Sequence, residues 1–361
     1  MKTRGEIFYD ATISSDFGFE RHQNMTRFVG AVARAIGRLK SLKDYVGAPS
    51  SHPSLVGHAP RSQPMPSSNS TRKAGIVTER LAFGESPRWH DGRLWLCNWG
   101  TGEIVAVDKD GKSEVMLTVP AILPYSIDWL PDGRLLVVSG HEGLLLRREA
   151  NGALVIHADL RELSKNPWNE IVVDGRGNVY VNGGGPAPAP GEHFGPGTIV
   201  LIAPDGAVRQ VADNIAFANG MAVTPDNRTL IVAESHARRL TAFDIGADGG
   251  LSNRRIWADL GNDYPDGICI DAEGCVWYAD VPNRHCVRVR EGGEKIDRIE
   301  IDRGCFACML GGADGRTLFI LAAEWRGFEN MVSDARTGQV LSIAVAAPGA
   351  GWPSYTSGTR W

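Results

Sequence analysis

No stretch of the 361 residues holds the roughly 20 consecutive apolar side chains that a membrane-spanning helix needs, so no membrane span is expected. Positive charge is not in excess either: the formal net charge is -4, and beyond residue 75 there are 27 basic against 37 acidic side chains. An acidic body of this kind argues against a nucleic-acid partner. Cysteine is scarce, with six residues, all beyond position 96 and irregularly spaced. With no secretory leader apparent, reduced thiols and a cytoplasmic location are the expectation, not a disulfide framework. A Gly-x-Ser-x-Gly elbow and a His-Glu-x-x-His helix are both missing, which argues against the common serine hydrolases and against zincins. Cys305-x-x-Cys308 has no second pair at zinc spacing, and core packing explains it better. The run Asp110-Gly111-Lys112-Ser113 has Ala106 where a P-loop requires its first glycine.

What is present favours many short strands: 43% hydrophobic residues, 43 glycines and 20 prolines. The first 75 residues differ from the rest and carry 11 Lys/Arg against 5 Asp/Glu. From Met25 to Val46 the residues Phe28, Val32, Ala35, Ile36, Leu39 and Leu42 recur at helical spacing beside five basic side chains, which predicts one amphipathic helix. Such a helix suits an appendage packed on the body or a membrane surface; Glu6, Asp10, Asp16 and Glu20 speak against a transit peptide. Residues 47–74, rich in proline and serine, read as a linker. The expected organisation is therefore an N-terminal extension over 1–75 and a second domain over 76–361.

A repeat sets the expected fold of that second domain. Turn aspartates stand at Asp91, Asp132, Asp174, Asp226, Asp271 and Asp314, separated by 41, 42, 52, 45 and 43 residues. After each comes a short run rich in strand-forming residues: Leu94–Cys97, Leu135–Ser139, Val179–Asn182, Leu230–Glu234, Val276–Asp280 and Leu318–Ala322. This period is that of four-stranded propeller blades, and the segments are too short and too β-branched for a helical solenoid. An all-β, six-bladed β-propeller is expected, with the segment near Gly75 to Phe83 pairing into the last blade so that no edge stays open. The long third interval contains a Gly/Pro-rich loop, 182–197.

Five to seven residues before each turn aspartate stand Glu85, Ser126, Asn169, Asn219, Asp266 and, less regularly, Cys308. First strands of blades line the central channel, so these positions should converge at one end of the axis. Asn and Asp also cap strands and join Asx turns. Two carboxylates and two carboxamides sharing one repeat position are instead explained by a cation between them, because their joint desolvation would otherwise be costly. Oxygen ligands favour a hard ion such as Ca²⁺, with Mg²⁺, Mn²⁺ and Zn²⁺ as alternatives.

The stretches Gly84-Glu85-Ser86-Pro87-Arg88-Trp89, Asn219-Gly220-Met221-Ala222-Val223-Thr224-Pro225-Asp226 and Pro265-Asp266-Gly267-Ile268-Cys269-Ile270-Asp271 closely resemble the regucalcin family, also called senescence marker protein 30 or gluconolactonase-like. The resemblance runs from about residue 78 to 345 and includes Cys305 to Gly312. It implies a six-bladed propeller with one divalent ion held by Glu85, Asn219 and Asp266, and with Asn169 beside the ion and toward substrate. Members of the family hydrolyse sugar lactones, and relatives hydrolyse other lactones or organophosphates. Many sugar-lactone members carry an arginine two residues before the asparagine matching Asn169. This chain has Pro167 there, followed by Trp168.

The expected function is divalent-metal-dependent hydrolysis of a small lactone or ester, with Asp266 as general base. A ligating carboxylate is a weak base, so His141, His193, His236 or His285 is the alternative. Trp168, Tyr125 and loop 182–197 are expected to shape the substrate pocket. The tryptophans Trp89, Trp95, Trp99, Trp129 and Trp277 are assigned to packing between blades. Two other readings stay open: another hydrolase or lyase on the same metal site, and a non-catalytic binding propeller. The expected partner is a small-molecule substrate, and nothing in the pattern specifies an oligomeric state.

Overall fold

Short apolar runs separated by turns satisfy their backbone N–H and C=O groups only by pairing with one another. In the computed structural model they form six four-stranded antiparallel sheets, the blades of a propeller. The structure describes residues 72–119, 123–183, 185, 195–327 and 335–351. The expected amphipathic helix at 25–46 and the linker up to residue 71 lie outside the described residues. Among those described, the helical structure is one 3₁₀ turn, Ser235–Ala237, and no helix is long and apolar enough to cross a membrane.

The first strand, β1 (Gly75–Leu81), does not join the blade that follows it. Blade 1 comprises β2 (Phe83–His90), β3 (Arg93–Trp99), β4 (Glu103–Val107) and β5 (Ser113–Thr118). Blade 2 comprises β6 (Tyr125–Trp129), β7 (Leu135–Ser139), β8 (Leu144–Arg148) and β9 (Leu154–Asp159). Blade 3 is β10 (Trp168–Val173), β11 (Val179–Gly183), β12 (Gly197–Ile202) and β13 (Val208–Ile215). Blade 4 is β14 (Ala218–Val223), β15 (Thr229–Glu234), β16 (Arg239–Ile245) and β17 (Leu251–Asp259). Blade 5 contains β18 (Pro265–Ile270), β19 (Val276–Asp280), β20 (His285–Val289) and β21 (Lys295–Glu300). Blade 6 contains β22 (Gly304–Gly311), β23 (Thr317–Ala323) and β24 (Gly338–Ala344), and its fourth strand is β1, antiparallel to β24. The chain thus closes its own ring, and the edge that β24 would otherwise expose is covered.

Local chemistry explains the regularity. Five of the six turn aspartates accept the backbone N–H two residues on, from Arg134, Arg176, Arg228, Glu273 and Arg316, at 2.8–3.1 Å. Six hydrophobic clusters fill the six gaps between successive blades, for example Trp95 and Trp129 between blades 1 and 2, and Leu94 with Phe319 between blades 1 and 6. Each fully buried aliphatic or aromatic side chain there contributes about 1.5–3 kcal/mol of transfer free energy. The apolar residues of the second strands face both neighbours, which is why those strands read as continuous apolar runs.

Candidate functional site

The first strands of the blades are not simple ladders. In β10, β14 and β18 two residues oppose one on the partner strand, and the doubled pairs are Asn169–Glu170, Asn219–Gly220 and Asp266–Gly267. A bulge re-aims a side chain out of the sheet's alternation, and these three turn an amide or a carboxylate toward the axis. Glycine follows the polar residue in two of them because the neighbouring first strand comes too close. A Cβ on Gly220 would lie 2.6 Å from Asp266 O, and one on Gly267 would lie 2.5 Å from the Ala307 Cβ. In β2 the doubled pair is Ser86–Pro87, with Ser86 at φ 49°, so Ser86 is the strict counterpart of Asn169 and Asp266. Glu85 stands one residue earlier and has the longer side chain. In β22 the irregularity falls at Phe306, which packs on Phe83 at 4.3 Å between ring centroids.

The structure therefore brings some of the expected residues together and leaves others in the packing. Asn169 Nδ2 lies 3.4 Å from Asn219 Oδ1 and 3.3 Å from Ala218 O, and the Asn219 amide beside Asp266 favours that carboxyl's ionised form. Asn182 Nδ2 holds Asn219 O at 2.6 Å, and the Ser235 hydroxyl holds Pro265 O at 2.6 Å, so each of these bulges is pinned from the preceding blade, one from its second strand and the other from the 3₁₀ turn after it. Asn169, Asn219 and Asp266 keep a partly exposed face, whereas Glu85 is 8% exposed. Ser126 sits in β6, whose register has no bulge, and its buried hydroxyl makes no hydrogen bond among the described residues. Cys308 lies in regular sheet between blades 5 and 6, its thiol 3.6 Å from Gly267 O. Tyr125 is buried between blades 1 and 2, with its hydroxyl donating to Asn98 O at 2.6 Å. Trp168 is wholly buried between blades 2 and 3. Neither aromatic forms an open pocket wall, contrary to the sequence expectation, because both are the first residue of an inner strand and face the adjacent blade. Of the loop 182–197, residues 184 and 186–194 lie outside the described residues.

Electrostatically the ring is under tension. Burial, then Glu170, pushes the Glu85 carboxyl up from 4.5 to about 8. Burial, then Glu85, Asp280 and Glu170, pushes Asp266 well above the usual carboxylate range against the Asn219 hydrogen bond. Two crowded acids of this kind fit a dication better than they fit each other. The donor set, two carboxylates and two carboxamides, is that of a hard ion, and Glu85, Asn219 and Asp266 with Asn169 are the residues here that can hold one.

Beneath the ring is a charge network that sequence reasoning missed. Arg88 donates to Glu170 Oε1 at 3.1 Å and Ile171 O at 2.5 Å, and lies 3.8 Å from Asp128 Oδ1. Glu170 Oε1 also accepts from the Ser86 hydroxyl and the Ile171 N–H, while Asp128 Oδ2 accepts from Val173 N–H at 2.8 Å. Burial pushes Asp128 up to about 6 against the pull of Arg88. These contacts tie β2, β6 and β10 together across the axis. The available signal was a charged residue within each apolar inner strand: Arg88, Asp128 and Glu170.

The four candidate histidines stand in different places. His236 stacks on Phe217 at 4.5 Å, His141 is an exposed turn residue, and His193 lies outside the described residues. His285 is not a loop residue but the buried first residue of β20, beside Asp263 and Asp280.

A closed six-bladed propeller with acids and amides turned inward at one end of its axis defines the class. The family model for the SMP-30/Gluconolactonase/LRE-like region matches residues 83–324, well over half of the chain, and the chain belongs to that family. Regucalcin of Bos taurus is 25% identical over 258 residues, covering 69% of this chain and 86% of the bovine protein. The 6-deoxy-6-sulfogluconolactonase of Pseudomonas putida is 24% identical over 302 residues, covering 80% of this chain and 99% of that enzyme. Among solved structures, the calcium-binding protein regucalcin from Agrobacterium tumefaciens superposes with a TM-score of 0.65 at 22% identity, over 79% of this chain and 98% of that one. A gluconolactonase from Xanthomonas campestris gives 0.60 at 18% identity, over 78% and 94%. These structural likenesses speak to the fold.

Proposed function

We propose that this protein is a divalent-metal-dependent hydrolase of a small lactone or related ester. One observation carries the reading: bulges on three successive inner strands turn Asn169, Asn219 and Asp266 inward, next to the buried Glu85, where both carboxyls are pushed far above their ordinary range. The gluconolactonase relatives supply the substrate class. Glu85, Asn219 and Asp266 would hold the ion, Ca²⁺ in the first instance. When bound, such an ion polarises an ester carbonyl and lowers the pKa of water.

The chain's own groups do the rest. Asn169, partly exposed at the ring, offers its amide N–H to a substrate oxygen. Asp266 takes the proton of the attacking water, and after ring opening it returns that proton to the leaving alkoxide. Arg88 and Glu170 keep the floor of the site rigid, which preserves the alignment on which proton transfer depends.

Substrate preference follows from Pro167. Without a guanidinium at that position the aldonolactone hydroxyls lose a donor, and turnover of gluconolactone is expected to be about tenfold or more below that of less hydroxylated lactones. A panel of lactones and aryl esters, assayed after chelation and again after Ca²⁺, Mg²⁺, Mn²⁺ or Zn²⁺ is returned, tests both points. Hydrolysis that needs a restored dication supports the function; equal or better turnover of aldonolactones contradicts the preference, and full activity after chelation contradicts the metal.

A further inference from the structure

The register of the first strands defines one more set of equivalent positions at the mouth of the channel. Trp168, Ala218 and Pro265 pair with the last residue of the second strand in their blades, as Tyr125 does in blade 2. The residue before each is Pro167, Phe217, Tyr264 or Pro124, and Gly84 stands at the corresponding place two residues before Ser86. None of the five carries a charge or an amide side chain. The collar next to the polar ring therefore consists of glycine, proline and aromatic rings in five successive blades.

Phe217 is the member of this collar that packing does not explain. Among the described residues it belongs to none of the six clusters between blades, it is half-buried, and its backbone is left-handed at φ 58°. That conformation is an outlier for a bulky side chain, and such strain persists only where neighbouring contacts over-determine it, most often at a functional site. Here Ser235 N–H donates to Phe217 O and His236 N–H to Ala216 O, each at 3.2 Å. The half-buried His236 imidazole lies on the Phe217 ring, with centroids 4.5 Å apart and planes 12° from parallel. The pair also stands beside the polar ring. Phe217 precedes Asn219 by two residues, at most about 7 Å of chain. Ser235, the residue before His236, has its hydroxyl 3.5 Å from Asn219 Nδ2 and donates it to Pro265 O.

We propose that the Phe217–His236 stack is the substrate-selecting surface of this site, and that it takes lactones fused to a flat aryl ring, with the ester group at the polar ring. The chemistry rests on the hydrolase reading above, whereas the recognition does not. An aryl ring that joins such a stack, offset or edge-on, gains about two- to tenfold in affinity beyond the area it buries. A polyhydroxylated lactone gains nothing comparable. The collar offers its hydroxyls no charged or amide partner, and each hydroxyl that leaves water without one costs affinity. Pro167 and the stack thus act in the same sense, one by withholding a donor and the other by supplying an aromatic face. A stack that only covered the turn before β14 would be indifferent to the ring system of a ligand.

The test uses the full chain with Ca²⁺ and two lactams that cannot be hydrolysed as esters, 3,4-dihydro-2-quinolinone and δ-valerolactam, titrated by calorimetry. The corresponding lactones, dihydrocoumarin and δ-valerolactone, are assayed beside them. Wild type is expected to favour the aryl-fused member of each pair about tenfold or more, in the lactam Kd and in KM rather than kcat. Phe217→Asn removes the aromatic ring while keeping a residue that tolerates the left-handed backbone, and the preference should fall to about twofold. His236→Phe rebuilds the stack and should retain it. Equal affinity for the two lactams, binding of neither, or a preference unchanged in Phe217→Asn overturns the proposal. Should Phe217→Asn fail to fold, His236→Ala decides, since it removes the stack without touching the strained residue; an unchanged preference there overturns it equally. Turnover of neither lactone with the lactam preference intact would count against the hydrolase reading and for the aryl-selecting surface.

Discussion

Asp266→Ala is expected to lower lactone turnover by roughly 10³-fold or more, since it removes a charged ligand and the proton acceptor together, and several kcal/mol of transition-state stabilisation go with them. The fold should survive, because Asp266 stands on a bulge at the channel and the six apolar clusters between blades do not include it. The apo variant should even melt higher than the apo wild type, as an acid raised by burial and by Glu85 costs stability whenever it is ionised. Asn219→Ala removes a neutral group and should weaken metal binding while leaving most turnover at saturating metal. Steady-state assays across metal concentration separate the two. Normal turnover in Asp266→Ala would leave the proposed mechanism without its base.

The second large effect is on stability. Arg88→Met removes the cation that faces Glu170 and Asp128 within the axis, and the two carboxylates left behind cannot be hydrated as they would be in the unfolded chain. Breaking a buried pair in this way costs about 3–5 kcal/mol. Two further consequences give the prediction its sign. Replacing the partners as well, in Arg88→Met with Glu170→Gln and Asp128→Asn, should recover part of the loss, because the desolvated charges are then gone. Affinity for a dication should rise in the single variant, since the axis has become more negative. Urea denaturation and calcium titration of the variants check both, and a change in stability below about 1 kcal/mol would mean that water reaches the network.

Much of the fold was legible in the turn spacing. Six Asp-marked turns, an N-terminal strand left over and β-branched runs at a common period sufficed for six blades and for the closure of β1 on β24. The ring was legible only in part. Asn169, Asn219 and Asp266 share a true structural position, but Glu85, Ser126 and Cys308 were aligned by distance from a turn, and a bulge changes that distance by one residue. Bulges carry no fixed residue signature, and the Asn-Gly and Asp-Gly pairs that mark two of them look like ordinary turns. Trp168 and Tyr125 were misplaced for a related reason: an aromatic next to a polar channel residue alternates away from the channel and into the neighbouring blade. Glu170 went unnoticed because the charged residues of the inner strands show their pairing only in space, and its partner Arg88 is more than 80 residues away.

A calcium-binding isotherm on the wild-type protein, recorded on both sides of about pH 8, tests the central claim most directly. Both ring acids are raised in the folded state; for Glu85, the proton it holds stabilises the apo protein below the ordinary value of 4.5, and that stabilisation is lost as pH rises through about 8. Calcium must displace these protons. One equivalent of Ca²⁺ is expected, bound more tightly above that pH than below it, with proton release on binding and with the binding lost in Asp266→Ala. An isotherm without binding on either side, or one unchanged by pH and by Asp266→Ala, would contradict an axial metal centre.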